Sequence, residues 1–423
     1  MLLIRVVLCL CVFIGWGPIE KAHGKSAYKK IDGVLSIEDV IAGMVDAEKF
    51  NFSREATNIS LQTVIDPKAS FRFGMLGHSP LTHKVVDGAH TFSVKWKGGN
   101  SVFCSLATER QDAAAIFVDK NERFADSDSV NGVLSWERES HIHKEIPYFI
   151  GQLLYNKFPT PGVITGDGSF GLYKTAVISM PNYTIWCEHD AAGYRESFER
   201  NINAIIELLS NDYVEQVKEI AARSVLLHYV EGRSVGWTEL FYNGNSRVEE
   251  RYVYNVVADR KDGGVNHRSE ATVDLYDKND ILVLRKFYQD MTGAEKQLEY
   301  TLLDGGQYAV KGKFKGSELN KKVDTGNGQG LRRTTVMLRE LLAGKTDQML
   351  IPTLSPSGIR YSRYSVVDRS IGKIRMDAKV PTTLVVDQCG MLQELFIEFS
   401  FVEVLYKLRS KQRFGKTLPV CAF

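Results

Sequence analysis

The 423-residue sequence has no long apolar segment beyond its N-terminus, and it has no excess of either charge. No other stretch approaches the roughly 18 apolar residues that a membrane-spanning helix requires. The 53 lysines and arginines nearly balance the 51 aspartates and glutamates, so the formal net charge is +2. A near-neutral chain lacks the basic surface that binds nucleic acid. We therefore expect no nucleic-acid partner and no stable membrane span in the mature chain.

The motifs of common catalytic and nucleotide-binding sites are also absent. No Gly-x-Ser-x-Gly elbow occurs. In residues 167–171 the first glycine directly precedes the serine, one place too late for the motif. The glycine-rich segment 326–330 lacks the Lys-Ser/Thr that follows a phosphate-binding loop, and we interpret it as a loop before a helix. We predict no cofactor. Enzymatic activity stays open, and we favour a non-enzymatic role.

The N-terminus has the pattern of a secretory signal. Arg5 precedes an apolar run over 6–16, a Gly-Pro pair ends the run, and small residues follow at Ala22 and Gly24. This pattern predicts a signal peptide over 1–24 and a secreted or periplasmic mature protein. An uncleaved anchor is the alternative, although the run is shorter than the roughly 20 residues of a membrane span.

Four cysteines follow the predicted signal, at Cys104, Cys187, Cys389 and Cys421. Their spacing gives no C-x-x-C metal or redox motif, and an oxidising compartment permits any of the three possible pairings. We predict a disulfide between Cys104 and Cys187. Reduced cysteines buried in the core are the alternative.

The first half of the mature chain mixes helices and strands. Five apolar residues recur at helical spacing after Ser36, a good N-cap, and form one apolar stripe: Ile37, Val40, Ile41, Met44 and Val45. We predict strands at 113–118, 132–137, 171–180 and 182–188, a hairpin turn at 97–100, and helices at 147–158 and 195–209.

From about residue 233 the sequence alternates regularly between apolar and polar residues, which predicts antiparallel hairpins. One helix interrupts them at 334–342, and strands resume at 360–367, 372–378 and 384–386, with a long final strand at 392–408. A long meander must curve or be covered to hide its apolar face. We predict a strand-rich α+β protein in two domains, 25–230 and 231–423. Each would be a curved, half-barrel-like antiparallel sheet covered by one or a few helices.

This layout resembles that of the lipoprotein-carrier (LolA-like) half-barrel proteins of the bacterial periplasm. The shared features are an amphipathic first helix that leads into curved strands, one helix in the middle of the second domain, and a strand–Asp-x-x-Gly–strand hairpin at 384–392. The resemblance implies that a lipid, a lipoprotein or another apolar ligand binds between helix and sheet, and it transfers no catalytic residue. Ile37, Val40, Ile41 and Met44 would then face the ligand, although the same stripe fits a helix packed into a core.

Two other functions stay open. His141 and His143 share one face of a predicted strand, and His189 lies in a second same-face pair, so together they suggest an extracellular metal-dependent hydrolase. Nothing in the sequence brings these histidines together, and surface histidines are the simpler interpretation. A structural or adhesive envelope protein is the other alternative.

Overall fold

The computed structural model describes residues 60–413, except 67–70, 87, 97–100, 158–169, 191–194, 217–221, 244–246, 259–264, 292–293, 327, 345, 356–357, 378–379 and 399–402. The predicted signal peptide and the predicted first helix, with Ile37, Val40, Ile41 and Met44, lie outside the described residues. Within them, the chain forms two compact units that divide near residue 217.

In the N-terminal unit, β1 (Ser60–Asp66) and β2 (Phe71–Gly77) form a hairpin. The other strands are β3 (Thr82–Val86), β4 (Ala89–Lys95), β5 (Ser101–Ala107), β6 (Val130–His143), β7 (Ile146–Lys157), β8 (Phe170–Ser179) and β9 (Thr184–Asp190). They form one antiparallel sheet in the order β3-β4-β5-β9-β8-β7-β6. The strands predicted at 132–137, 171–180 and 182–188 are confirmed, with different ends.

In the part of this unit that the structure describes, two helices accompany these strands, α1 (Ala113–Ala125) and α2 (Arg195–Gln216). The helix predicted at 195–209 is confirmed within α2, but the strand predicted at 113–118 is wrong, because this segment begins α1. The side chain of Asp112 accepts a hydrogen bond from the backbone N–H of Ala115 at 2.9 Å and caps the helix. Three alanines follow the cap, and alanine has the highest helix propensity.

The helix predicted at 147–158 is also wrong, because the segment forms β7. This strand lies between β6 and β8, and its residues from Ile146 to Phe149 and from Gly151 to Tyr155 are buried. A strand buried on both faces has a continuous apolar sequence without alternation, so its periodicity does not distinguish it from a helix.

The predicted disulfide between Cys104 and Cys187 is confirmed. The two residues lie directly opposite each other on β5 and β9, with Cα atoms 4.0 Å apart, and both side chains are buried. Cys389 is disulfide-bonded as well.

Within the described residues, the C-terminal unit has fourteen antiparallel strands and one α-helix. The strands are β10 (Ala222–Val230), β11 (Arg233–Asn243), β12 (Val248–Ala258), β13 (Val265–Tyr276), β14 (Leu282–Met291), β15 (Ala294–Leu302), β16 (Gln307–Phe314), β17 (Ser317–Asp324), β18 (Gln348–Ser355), β19 (Gly358–Asp368), β20 (Lys373–Asp377), β21 (Thr382–Val386), β22 (Leu392–Glu398) and β23 (Glu403–Arg413).

These strands form one sheet in which β10 pairs with both β11 and β23. The predicted domain boundary at 230/231 falls at the end of β10. The long final strand predicted at 392–408 is instead two strands, β22 and β23, that pair with each other.

The sheet curls so that its two ends approach each other. Leu354 of β18 and Ile359 of β19 pack with an apolar cluster whose other members come mainly from β14 to β17. The hydroxyl of Tyr361 donates a hydrogen bond to the backbone oxygen of Thr325, just after β17, at 2.7 Å. The face that carries this cluster is therefore the concave, inner face of the sheet.

The predicted helix at 334–342 is confirmed as α3 (Thr334–Leu342). Its buried residues Leu338 and Leu341 pack against a second apolar cluster, which is built largely from β18 to β23. The protein is thus a strand-rich α+β protein with large curved antiparallel sheets, as the sequence predicts. None of the helices within the described residues is long and apolar enough to cross a membrane.

Candidate functional site

The inner face of the C-terminal sheet carries a band of buried charge between its two apolar clusters. Residues directly opposite each other on antiparallel strands point to the same face. Arg251 of β12 lies opposite the inward-facing Leu240, and Arg285 of β14 lies opposite Asp274 of β13. Strand pairing therefore places these charges inside the curl of the sheet.

Two sets of ion pairs form this band. Arg285 bonds both carboxylate oxygens of Asp274, with 2.5 Å between Nε and Oδ1. Arg251 bonds one oxygen of Glu270, and Arg268 bonds the other at 3.1 Å. All five side chains are at most 8% exposed. Charges buried to this extent require partners, because desolvation of an unpaired charge is strongly unfavourable.

The environment shifts the pKa of two of these arginines in opposite directions. Burial lowers the pKa of Arg285, but the charge of Asp274 and its hydrogen bonds outweigh that effect, so the net shift is upward. Burial lowers the pKa of Arg268, and the charge of Glu270 opposes this shift only in part. Arg268 shares its carboxylate with Arg251, whereas Arg285 has its own.

A short extended segment before α3 brings another arginine to the band. The backbone N–H of Leu282 donates to the oxygen of Leu331 at 2.8 Å, and that of Arg333 donates to the oxygen of Asp280 at 2.9 Å. The hydroxyl of Tyr308 accepts a hydrogen bond from the N–H of Leu331 at 2.9 Å and donates to the oxygen of Leu282 at 2.6 Å. These bonds fix where α3 begins.

Arg333 extends from this segment toward the inner face of the sheet. Its Nη2 and Nε lie 2.7 and 3.1 Å from Oε2 of Glu249. Its guanidinium lies over the rings of Tyr242 and Tyr276, 4.6 and 5.2 Å from their centroids. Burial raises the pKa of Tyr276 well above its usual value, and the nearby Asp274 adds to the shift, so this phenol stays neutral.

The first turn of α3 packs against the predicted Asp-x-x-Gly turn. Asp387 closes that turn, because its Oδ1 accepts hydrogen bonds from the N–H groups of Cys389 and Met391, each at 2.9 Å. Gly390 has a φ of +79°, and a Cβ there would lie 2.1 Å from the backbone oxygen of Thr335. Only glycine fits between the turn and the helix.

These elements enclose a cavity of about 80 Å³ between α3 and the sheet. Its charged lining includes Arg251, Arg285, Arg333, Asp274 and Glu249, and its apolar lining includes Leu240, Leu282, Leu331, Leu338, Met391 and Leu392. The volume is sufficient for several water molecules or a small polar group. Because apolar and charged groups share the lining, the cavity suits one end of an amphipathic ligand.

The structure does not bring the predicted metal ligands together. His141 and His143 lie on β6, which is an edge strand, and His189 lies on β9, with β7 and β8 between them. Three strand spacings amount to about 14 Å. Within the part of the chain that the structure describes, no three His, Cys, Asp or Glu residues are arranged to hold a metal ion.

Each of these histidines has another partner. The Nε2 atoms of His141 and His143 lie 3.0 and 3.2 Å from carboxylate oxygens of Glu139 and Glu207. Nδ1 of His189 lies 3.0 Å from the backbone oxygen of Ser101. Burial lowers the pKa of His189 to about 4, and Lys174 contributes to the shift.

Sequence reasoning missed the arginines and carboxylates of the inner face. In β13, Arg268, Glu270 and Asp274 alternate with neutral residues, and this pattern ordinarily marks the solvent face of a strand. A signal was nonetheless present. On each of these strands, an apolar residue stands two positions after a charged one and so shares its face. The pairs are Asp274 and Tyr276 on β13, Arg285 and Phe287 on β14, and Arg251 and Val253 on β12.

Comparison with known proteins gives no family for this chain. No family model matches it, and no curated protein matches it significantly. Among solved structures, it is similar to the crystal structure of a β-barrel-like protein of the domain of unknown function DUF1849 from Brucella abortus. The identity is 11%, the match covers 46% of this chain and 98% of that chain, and the TM-score is 0.35.

Proposed function

We propose that the protein is a non-enzymatic binding protein that takes an amphipathic ligand into the cavity between α3 and the curved C-terminal sheet. The observation that carries this proposal is the cavity itself, which opens where the two apolar clusters meet the buried charges. A lipid or a lipoprotein, bound after export to the periplasm or the cell exterior, is the ligand that the LolA-like layout implies.

The size of the cavity suggests how such a ligand would bind. Pockets for ligands of drug size usually measure about 300–1,000 Å³. The cavity of about 80 Å³ therefore admits one end of the ligand, and a longer apolar part requires α3 to move outward. α3 has nine residues, and its buried side chains contact the sheet mainly through apolar surface, which an acyl chain can replace.

Displacement of a neutral dye tests this proposal. We expect the full chain to enhance the fluorescence of N-phenyl-1-naphthylamine and long-chain lipids to displace the dye. Native mass spectrometry should also detect a co-purified amphiphile. If the dye does not bind and no amphiphile co-purifies, the result favours a structural envelope protein instead.

A cavity-filling variant locates the site. Thr335 lines the cavity, and Thr335→Phe should weaken dye and lipid binding at least tenfold by occupying that space. Met337 lies two residues further along α3 and packs against the apolar cluster without lining the cavity, so Met337→Phe is the matched control. Equal binding by both folded variants would place the ligand elsewhere.

A further inference from the structure

We propose that the end of the ligand that enters the cavity is an anionic group, in which two oxygens share a single negative charge. Arg251 and Arg285 bind this group. A carboxylate and a phosphodiester have this chemistry. The inference rests on the proposed function, and it specifies the class of ligand that the cavity selects.

The first argument is the balance of buried charge. Arg251, Arg268 and Arg285 are three guanidiniums, and Glu270 and Asp274 are the two carboxylates that pair with them. Among the described residues these arginines make no other ion pair, and the neighbouring pair of Arg333 and Glu249 is neutral. The band therefore has one excess positive charge, and a buried charge needs a counter-ion.

The second argument is that donors lining the cavity lack acceptors. Arg285 is 2% exposed, and its Nη1 atom is buried without a hydrogen-bond acceptor among the described residues. The Nε atom of Arg251 and the hydroxyl of Thr335 also have no partner there. Most buried donors in proteins are satisfied, and these three residues all line one cavity. An anion with two oxygens can supply the missing acceptors.

The third argument is the N-terminus of α3. The residue before the helix, Arg333, makes no side-chain capping bond, and the first turn has no acidic residue. The N–H groups in the first turn of a helix carry partial positive charge, which favours an anion nearby. Thr334 and Thr335 of this turn line the cavity, so the helix adds to the field of the arginines.

The apolar lining distinguishes an amphiphile from a free anion. Leu240, Leu338 and Leu392 line the same cavity as the arginines. These side chains cannot bond a hydrated inorganic ion, but they favour a methylene chain attached to the anionic group.

The test compares three ligands with chains of the same length: dodecanoate, a lysophosphatidylglycerol with a twelve-carbon chain, and dodecan-1-ol. Displacement of N-phenyl-1-naphthylamine from the full chain gives each affinity. We expect at least one of the two anions to bind tenfold or more tightly than the alcohol. The tighter anion then identifies the carboxylate or the phosphodiester as the headgroup.

Arg251→Met is the decisive variant. It leaves two guanidiniums and two carboxylates, because Glu270 keeps Arg268, so the buried charge is balanced and the fold should persist. We expect the affinity of this variant for the two anions to fall to its affinity for dodecanol. Arg375→Met, which removes an exposed arginine on β20, is the matched control and should change nothing.

The outcomes separate this inference from the proposed function. Equal binding of the anions and dodecanol, or a preference for anions that survives in Arg251→Met, overturns the anion site and leaves the binding function intact. Failure of all three ligands to displace the dye, or of the dye to bind, overturns both.

Discussion

Arg251, Arg268 and Arg285 occupy strand positions at which leucine or valine would be ordinary. A buried ion pair contributes little net stability, because desolvation of both groups offsets most of their attraction, and apolar residues of similar size often stabilise a fold more. The inner charges therefore have little value for folding alone. Their place beside a cavity agrees with the binding role proposed above.

His228 is the clearest single-residue source of pH dependence. Its Nδ1 lies 2.6 Å from the amide oxygen of Asn255, and its Nε2 lies 2.8 Å from the hydroxyl of Thr238. Because the amide oxygen can only accept, Nδ1 carries the proton and Nε2 accepts from the threonine. Burial lowers the pKa of His228 to about 3, although the bond to Asn255 opposes the shift.

We expect this neutral histidine to destabilise the protein in acid. Below pH 6.5 the unfolded chain binds a proton at this position, and the folded chain does not until about pH 3. Stability is therefore lost as pH falls between these values, by about 2 kcal/mol from pH 7 to pH 5. Urea unfolding of the wild type and of His228→Gln at pH 7 and at pH 5 measures this loss in the free energy of unfolding. The variant should lose about 2 kcal/mol less than the wild type, and an equal loss would contradict the expectation.

At the scale of elements, the contact between α3 and the turn at Asp387–Gly390 fixes one wall of the cavity. Gly390 and Gly316 both have φ near +80°, where a side chain is strained, but only Gly390 has a neighbour that a Cβ would strike. Gly316 lies in the turn between β16 and β17, with nothing within 4 Å of a built Cβ.

We expect Gly390→Ala to be more destabilising than Gly316→Ala. Both substitutions incur the left-handed backbone strain, about 1–2 kcal/mol. Gly390→Ala also forces the turn away from Thr335, which adds about 1–3 kcal/mol as overpacking does elsewhere. Differences in urea midpoints measure this. The lipid affinity of Gly390→Ala should fall too, and two equal midpoints would show that the helix is not held by this turn.

The elements that the sequence predicts correctly have signals at their ends or in their period. α3 begins at Thr334 and is followed by Gly344, and the hairpin around Asp387 has both alternation and a turn motif. The sequence wrongly predicts a strand where α1 begins and a helix where β7 lies, because a short apolar run fits either a helix or a strand that is buried on both faces. Asp112 was the missed signal for α1.

The cavity was beyond sequence reasoning for a different reason. Its lining comes from β11 to β14, from the segment before α3 and from the turn at 387–390, which are far apart in the chain. Only the curvature of the sheet brings Arg285 and Met391 to one place. The disulfide between Cys104 and Cys187, by contrast, depends on a single contact between neighbouring strands. It could be predicted because a signal peptide implies an oxidising compartment.

At the scale of the whole molecule, export is the remaining proposal. A buried disulfide between β5 and β9 is of the kind that forms in oxidising compartments. We expect the exported protein to begin at Lys25, because Ala22 and Gly24 are the small residues that a signal peptidase recognises. Intact-mass measurement of protein from the periplasm or medium tests this.

A pair of variants checks the cleavage site. Gly24→Trp places a large residue at the position before the cut and should leave residues 1–24 attached. Lys25→Ala, one position further on, should be processed normally. Export of the wild type with residues 1–24 retained would rule out the predicted signal peptide.

The pairing of β10 with β23 has a consequence for how the C-terminal unit folds. β10 is the first strand of its sheet in the chain and β23 is the last, and they pair along their length from Ala222 opposite Arg413 to Val230 opposite Val404. Contacts between residues so distant in sequence raise the contact order, which slows folding. Until β23 is in place, β10 and β22 are open edges that can join strands of other chains. Among the described strands, the last to be synthesised is therefore the one that joins the two halves of the sheet and covers these two edges.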